Sequence, residues 1–192
     1  PERIAVSGNS AGGHLAAALA TIEGYNHSDD DLSVATMPNL LLLGSPVLDN
    51  GPGGYGNGWD KVLPNRTSYD YRVKDFWQDF SPMHNLNDEL PDTLVIMGDS
   101  DPLIKMSSMQ VFGQGVVDAS SKFEWWIFPR KGHGLNSQSK SYLTPALMHI
   151  YYTYFKFLAG KAYLDDPLPA GEELGRMIRE QPLGAVIKDQ RR

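Results

Sequence analysis

Three residues far apart in the sequence carry the chemistry that this chain could perform. Ser10 stands in Gly8-Asn9-Ser10-Ala11-Gly12, a G-x-S-x-G run. Asp101 follows the apolar stretch Thr93-Leu94-Val95-Ile96-Met97, and His133 lies between Gly132 and Gly134. A serine hydroxyl is a weak nucleophile until a base takes its proton, and that base needs a group to fix its tautomer. Serine, acid and histidine in this chain order suit acyl transfer: Ser10 attacks, His133 moves the proton, and Asp101 orients the imidazole. The amide of Ala11, just after the serine and at a helix start, serves as an oxyanion donor.

Each role has rivals. His84, in Ser81-Pro82-Met83-His84, is the strongest alternative base. His14 sits one helical turn past Ser10 and reads as a packing or capping residue, His27 lies in a polar loop, and His149 falls on a final helix. Asp99 competes with Asp101, although its place in Gly98-Asp99-Ser100-Asp101-Pro102 equally suits bracing the turn through backbone amides. The histidines show no i, i+4 pairing and no H-x-x-x-H or carboxylate cluster, so neither a metal nor any other cofactor is expected.

The serine demands a particular local structure. Ile4-Ala5-Val6 reads as a buried strand ending at Gly8, and an Ala/Leu-rich helix runs from Ala11 toward Gly24. A serine at the tip of so sharp a strand-to-helix turn predicts glycine at positions 8 and 12, where side chains would collide. A dinucleotide-binding loop shares the strand-turn-helix context. It requires glycine where Ser10 stands and an acidic residue closing a second strand about 20 positions on, and no strand here ends that way.

Further buried strands are expected at Leu40–Leu43, Thr93–Met97 and Phe123–Phe128, the last stopped by Pro129. Helical spacing marks Leu103–Ala119 and Leu143–Leu158, and a short surface helix is expected over Glu172–Glu180. Alternating strands and helices predict an α/β fold, a parallel sheet with helices on both faces. Residues 1–160 form the body, residues 50–80 a Gly-rich, lid-like insertion, and residues 161–192 a tail.

The 192 residues are 41% hydrophobic and 21% charged, enough for a sizeable core. Net charge is −6, and the tail holds six basic and six acidic residues, so the excess negative charge lies in the body. That disfavours nucleic acid or an anionic membrane as the main partner. No cysteine is present, which removes disulfides, thiolate metal sites and cysteine nucleophiles. No apolar run reaches the roughly 18 residues of a membrane span. Neither composition nor motif assigns a compartment. The chain opens on Pro1-Glu2-Arg3-Ile4-Ala5-Val6, already at a strand, and reads as the C-terminal part of a longer protein.

Gly8-Asn9-Ser10-Ala11-Gly12-Gly13-His14-Leu15-Ala16 resembles the nucleophile elbow of α/β-hydrolase serine esterases. The likeness is to the hormone-sensitive-lipase-like and acetyl-xylan or feruloyl esterase branch. Phe80-Ser81-Pro82, Gly98-Asp99-Ser100-Asp101-Pro102-Leu103 and Gly132-His133-Gly134 follow in matching order, and the likeness covers residues 3–160. It implies a Ser10, Asp101 and His133 triad acting on short acyl or carbohydrate esters. It also implies four earlier strands and a His-Gly-Gly oxyanion loop outside residues 1–192. This chain would then be the C-terminal half of the fold, needing the N-terminal part from the same longer chain or a companion fragment. A half-sheet leaves its first strand as an aggregation-prone edge.

Around this site Asn9, Tyr55 and Trp59 are candidate substrate contacts, the two aromatics offering flat faces to a sugar or aryl group. Trp125 and Trp126 alternate along a strand and read as packing residues; Arg130 and Lys131 read as solvated charges. Two other functions fit the same elements. A prolyl-oligopeptidase-like peptidase would use the same triad, with an aromatic expected where Ala11 stands. A non-catalytic hydrolase-fold binding protein would keep the pocket without turnover.

Overall fold

The computed structural model describes residues 3–55, 73–135, 157 and 160, together with the backbone of 187–189. Strand β1 is Ala5–Asn9, helix α1 Ala11–Thr21, β2 Leu40–Gly44, β3 Asp92–Gly98, α2 Met106–Asp118, β4 Phe123–Phe128 and β5 Ile187–Asp189. The sheet order is β1-β2-β3-β4-β5. The first four strands are parallel, and β5 joins β4 antiparallel, with Ile127 opposite Ile187.

Pattern and structure agree in β2, β3 and β4. Strand β1, expected to be buried, stands first in the sheet order and is only half-buried, with Ser7 and Asn9 exposed. Leu40 to Leu43 are each at most 2% exposed, as a strand covered on both faces requires. One set of alternating side chains, Leu41, Leu43, Val95, Met97, Trp125 and Ile127, shares a core with Ala16, Ala17 and Ala20 of α1 and Met109, Phe112 and Val116 of α2. Both described helices therefore pack on the same face. The opposite set, Leu40, Leu42, Leu94, Ile96, Trp126 and Phe128, is buried as well. Of the helix predicted over 143–158, Phe157 alone is described, and it is buried.

Three boundaries differ from the sequence expectation. β1 runs through Gly8 to Asn9, because its ladder with β2 continues to the Asn9–Gly44 pair. α2 begins at Met106 instead of Leu103, since Asp101 Oδ1 accepts the amides of Leu103 (2.9 Å) and Ile104 (3.0 Å) and holds them in a loop. The third is β5, a three-residue strand in the tail that carries no periodic signal. The segment expected as a helix over Glu172–Glu180 lies outside the described residues, as do Trp59 and most of the insertion. No helix among the described residues is long and apolar enough to cross a membrane.

Candidate active site

The C-terminal ends of β1, β3 and β4 deliver one residue each to a common point. At the end of β1, Ser10 has φ 54° and ψ −118°, a conformation that costs energy for any residue with a side chain. Its backbone is pinned on both sides. The Ser10 amide donates to Gly44 O (2.9 Å), and its carbonyl accepts from His14 N (3.0 Å) and Val47 N (3.3 Å). As the N-cap of α1, Ser10 makes no side-chain capping bond, which leaves Oγ available.

The glycine requirement divides differently from the sequence expectation. A Cβ on Gly8 would stand 2.0 Å from Gly12 O, so that position admits glycine only. A Cβ on Gly12 meets nothing within 4 Å, which corrects the prediction of a collision there. The second crowded site is Gly13, where a Cβ would lie 2.8 Å from Pro46 Cβ. Gly13 is visible in the sequence as the third glycine of the run, but its neighbour Pro46 is distant in the chain.

His133 closes the constellation. Its Nε2 lies 2.8 Å from Ser10 Oγ and its Nδ1 2.8 Å from Asp101 Oδ2. An ionised carboxylate only accepts, so Nδ1 carries the ring proton and Nε2 presents its lone pair to the Ser10 hydroxyl. The Asp101 side chain is fully buried and the His133 side chain is 23% exposed. Gly134 adopts φ 60°, letting the chain turn directly after the histidine. The Ala11 amide opens the first turn of α1, where N–H groups lack intrahelical acceptors and point outward along the helix dipole.

The rival residues are placed elsewhere. His84 lies 3.8 Å from Asp49 Oδ1 and edge-on to Trp77, with ring centroids 4.9 Å apart. His27 sits in an exposed turn with Asp29 and Asp30. His14 is buried, its Nε2–H donates to Phe80 O at 2.7 Å, and its ring lies 4.5 Å from that of Phe80. Burial lowers its pKa below the usual histidine value, partly offset by the Phe80 carbonyl. His149 is outside the described residues. Asp99 Oδ1 accepts the Arg130 amide (2.6 Å) and the Ser100 hydroxyl (2.8 Å).

Of the candidate substrate contacts, Asn9 is exposed and its side chain fills the space beside Gly44. Tyr55 is half-buried against the core. The sequence does not show the hydrogen-bonded knot that ties Asn50 to Trp77, Phe80 and Ser81. Ser81, fully buried, accepts from Asn50 N at 2.8 Å and donates to Trp77 O. Phe80 O accepts from Asn50 Nδ2 (3.1 Å) as well as from His14. The Phe80-Ser81-Pro82 motif is visible in the sequence, but Asn50 and His14 lie 30 or more positions away from it.

Sheet, elbow and strand-end residues together define an α/β-hydrolase fold. The family model described as prolyl oligopeptidase family matches residues 1–157, and the chain belongs to that family. No curated protein matches the chain. Solved structures of esterase 2 from the Planctomycetes species Thermogutta terrifontis share the fold. The native form aligns at 20% identity with a TM-score of 0.63, covering 84% of this chain and 57% of that one. The propionate-bound form gives 22% and 0.61 over 85% and 57%. The form phosphonylated by sarin gives 19% and 0.65 over 85% and 58%. The chain thus spans somewhat over half the length of these esterases.

Proposed function

We propose that this chain carries the reacting residues of a serine hydrolase that cleaves carboxylic esters. The reading rests above all on the two 2.8 Å contacts that link Ser10 Oγ, His133 and Asp101. Ser10 Oγ bonds to the ester carbonyl carbon while its proton passes to His133 Nε2. Asp101 keeps the imidazole oriented and balances the imidazolium charge. The Ala11 amide stabilises the oxyanion. Collapse breaks the ester C–O bond, and His133 returns the proton to the departing alcohol. A water, deprotonated by His133, then releases the acid from Ser10.

For the substrate, short acyl groups such as acetyl, or feruloyl on carbohydrate, are the reading we favour. The propionate- and butyrate-bound forms of the Thermogutta esterase support a short acyl group by likeness of fold. Peptide cleavage is the second reading, favoured by the family match itself. The same triad serves both, and the leaving group distinguishes them.

We further infer that polypeptide outside residues 1–192 completes the site, whether from the same chain or a companion. A second oxyanion donor is needed, worth about 2.7–4 kcal/mol. Leu15 and Leu19 on α1 are 65% and 51% exposed and form an apolar surface for it to cover.

A fluorophosphonate probe tests the reading. Stoichiometric labelling at Ser10, lost in Ser10→Ala, is the expected result; labelling that persists in Ser10→Ala overturns it. Turnover of p-nitrophenyl acyl esters against a dipeptide anilide then decides between ester and peptide.

A further inference from the structure

We propose that Asp99 is a positioning residue that locks the loop bearing His133 onto the loop bearing Asp101. The proposal rests on the triad reading above, since the placement of His133 is what it serves. Two aspartates follow β3, and they act on the histidine at different levels. Asp101 holds the ring through Nδ1, whereas Asp99 holds the main chain three residues earlier, through the Arg130 amide at 2.6 Å.

The surroundings explain why that amide needs a partner. Arg130 has φ 58°, a left-handed conformation that non-glycine residues adopt at a cost. The turn redirects the chain from the end of β4 toward Gly132-His133. At its base the two loops are already in backbone contact. Asp99 N donates to Phe128 O (3.2 Å) and Ser100 N to Lys131 O (2.9 Å). A Cβ on Gly98 would fall 2.0 Å from Lys131 O. The Asp99 carboxylate adds a contact at the apex, on the strained residue itself, and also takes the Ser100 hydroxyl at 2.8 Å. A charged acceptor makes a stronger bond than a neutral one, which suits an exposed position. Without it Arg130 relaxes toward right-handed backbone, and the path to His133 shifts. Small displacements of a catalytic group are costly to the reaction while leaving substrate binding intact.

The test uses the complete native chain. Asp99→Ala is expected to lower kcat, and the rate of fluorophosphonate inactivation, about tenfold with KM unchanged. Asp99→Asn, whose side-chain oxygen still accepts both donors, recovers most of that loss. Hydrogen exchange at the Arg130 amide accelerates in Asp99→Ala and stays slow in Asp99→Asn. Wild-type reactivity in Asp99→Ala overturns the proposal, as does an Asn variant no better than Ala. Should Asp99→Ala fail to fold, the pair is compared on an Arg130→Gly background, where glycine takes the turn without strain; a persistent tenfold loss there overturns the proposal. If labelling survives Ser10→Ala, the triad reading falls, and exchange at Arg130 still decides whether Asp99 holds the loop.

Discussion

Helix α1 presents opposite kinds of side chain on its two sides. Toward the sheet it offers Gly13, Ala16, Ala17 and Ala20, with the three alanines at most 2% exposed. Away from it stand Leu15 and Leu19, 65% and 51% exposed, bordering an open groove of about 960 Å³ that Tyr25, Met37 and Phe80 also line. The small side lets the helix sit close enough for Gly13 to touch Pro46, which the sharp turn at Ser10 requires. The large side gains nothing while open, although covering a leucine is worth roughly 1.5–3 kcal/mol. One face of the helix thus packs closely enough to set the turn at Ser10, and the other leaves two leucines open.

The difference can be broken in several places. The largest effect is expected at the nucleophile. Ser10→Ala should reduce ester turnover by about 10⁴-fold or more, with the thermal midpoint little changed. Next comes the close-packed side. Gly8→Ala drives a Cβ toward Gly12 O and should cost about 3 kcal/mol in a denaturant titration, whereas Gly12→Ala points into open space and should stabilise the helix by about 0.5–1 kcal/mol. Equal effects at the two glycines would erase the contrast.

The outer side is sharpened by Leu15→Gln and Leu19→Gln in the complete native chain. Each is expected to cost about 1–3 kcal/mol in unfolding free energy if covered; values within about 0.5 kcal/mol would leave that face to solvent. The smallest effect is expected at His14. Burial holds it neutral in the fold, so between its lowered pKa and 6.5 the unfolded chain binds more protons. Its contribution is complete above about pH 6.5 and is lost as pH falls through the folded-state value. His14→Gln should therefore flatten the fall in thermal midpoint on acidification; an unchanged slope would remove the burial argument.

Much of this was legible in the chain itself. Runs such as Leu40–Leu43 are covered on both faces and have no other use than a buried strand. The G-x-S-x-G run between strand and helix fixed the elbow, because few local structures tolerate glycines around an exposed serine. The reading was weaker wherever a side chain answers to a distant partner. Asp99 and Asp101 share a residue type and a loop in Gly98-Asp99-Ser100-Asp101. The sequence favours Asp101 as the orienting acid, but their separate partners, Arg130 and His133, are distant in the chain. The start of α2 moved because Asp101 captures two amides that a helical pattern would assign to its first turn. The buried Glu124, bonded by Trp126 Nε1, has no signature in an otherwise apolar strand.

Sequence alone therefore determined β1 to β4, the α1 elbow and the short roster of candidate reactive residues, since hydrophobic period and glycine placement act over a few neighbouring positions. Tertiary structure decided which histidine meets the serine, across 123 positions of chain, and which aspartate meets that histidine, across 32. Those pairings depend on strand order and loop path, and a hydrogen bond forms only where the folded backbone brings donor and acceptor within reach.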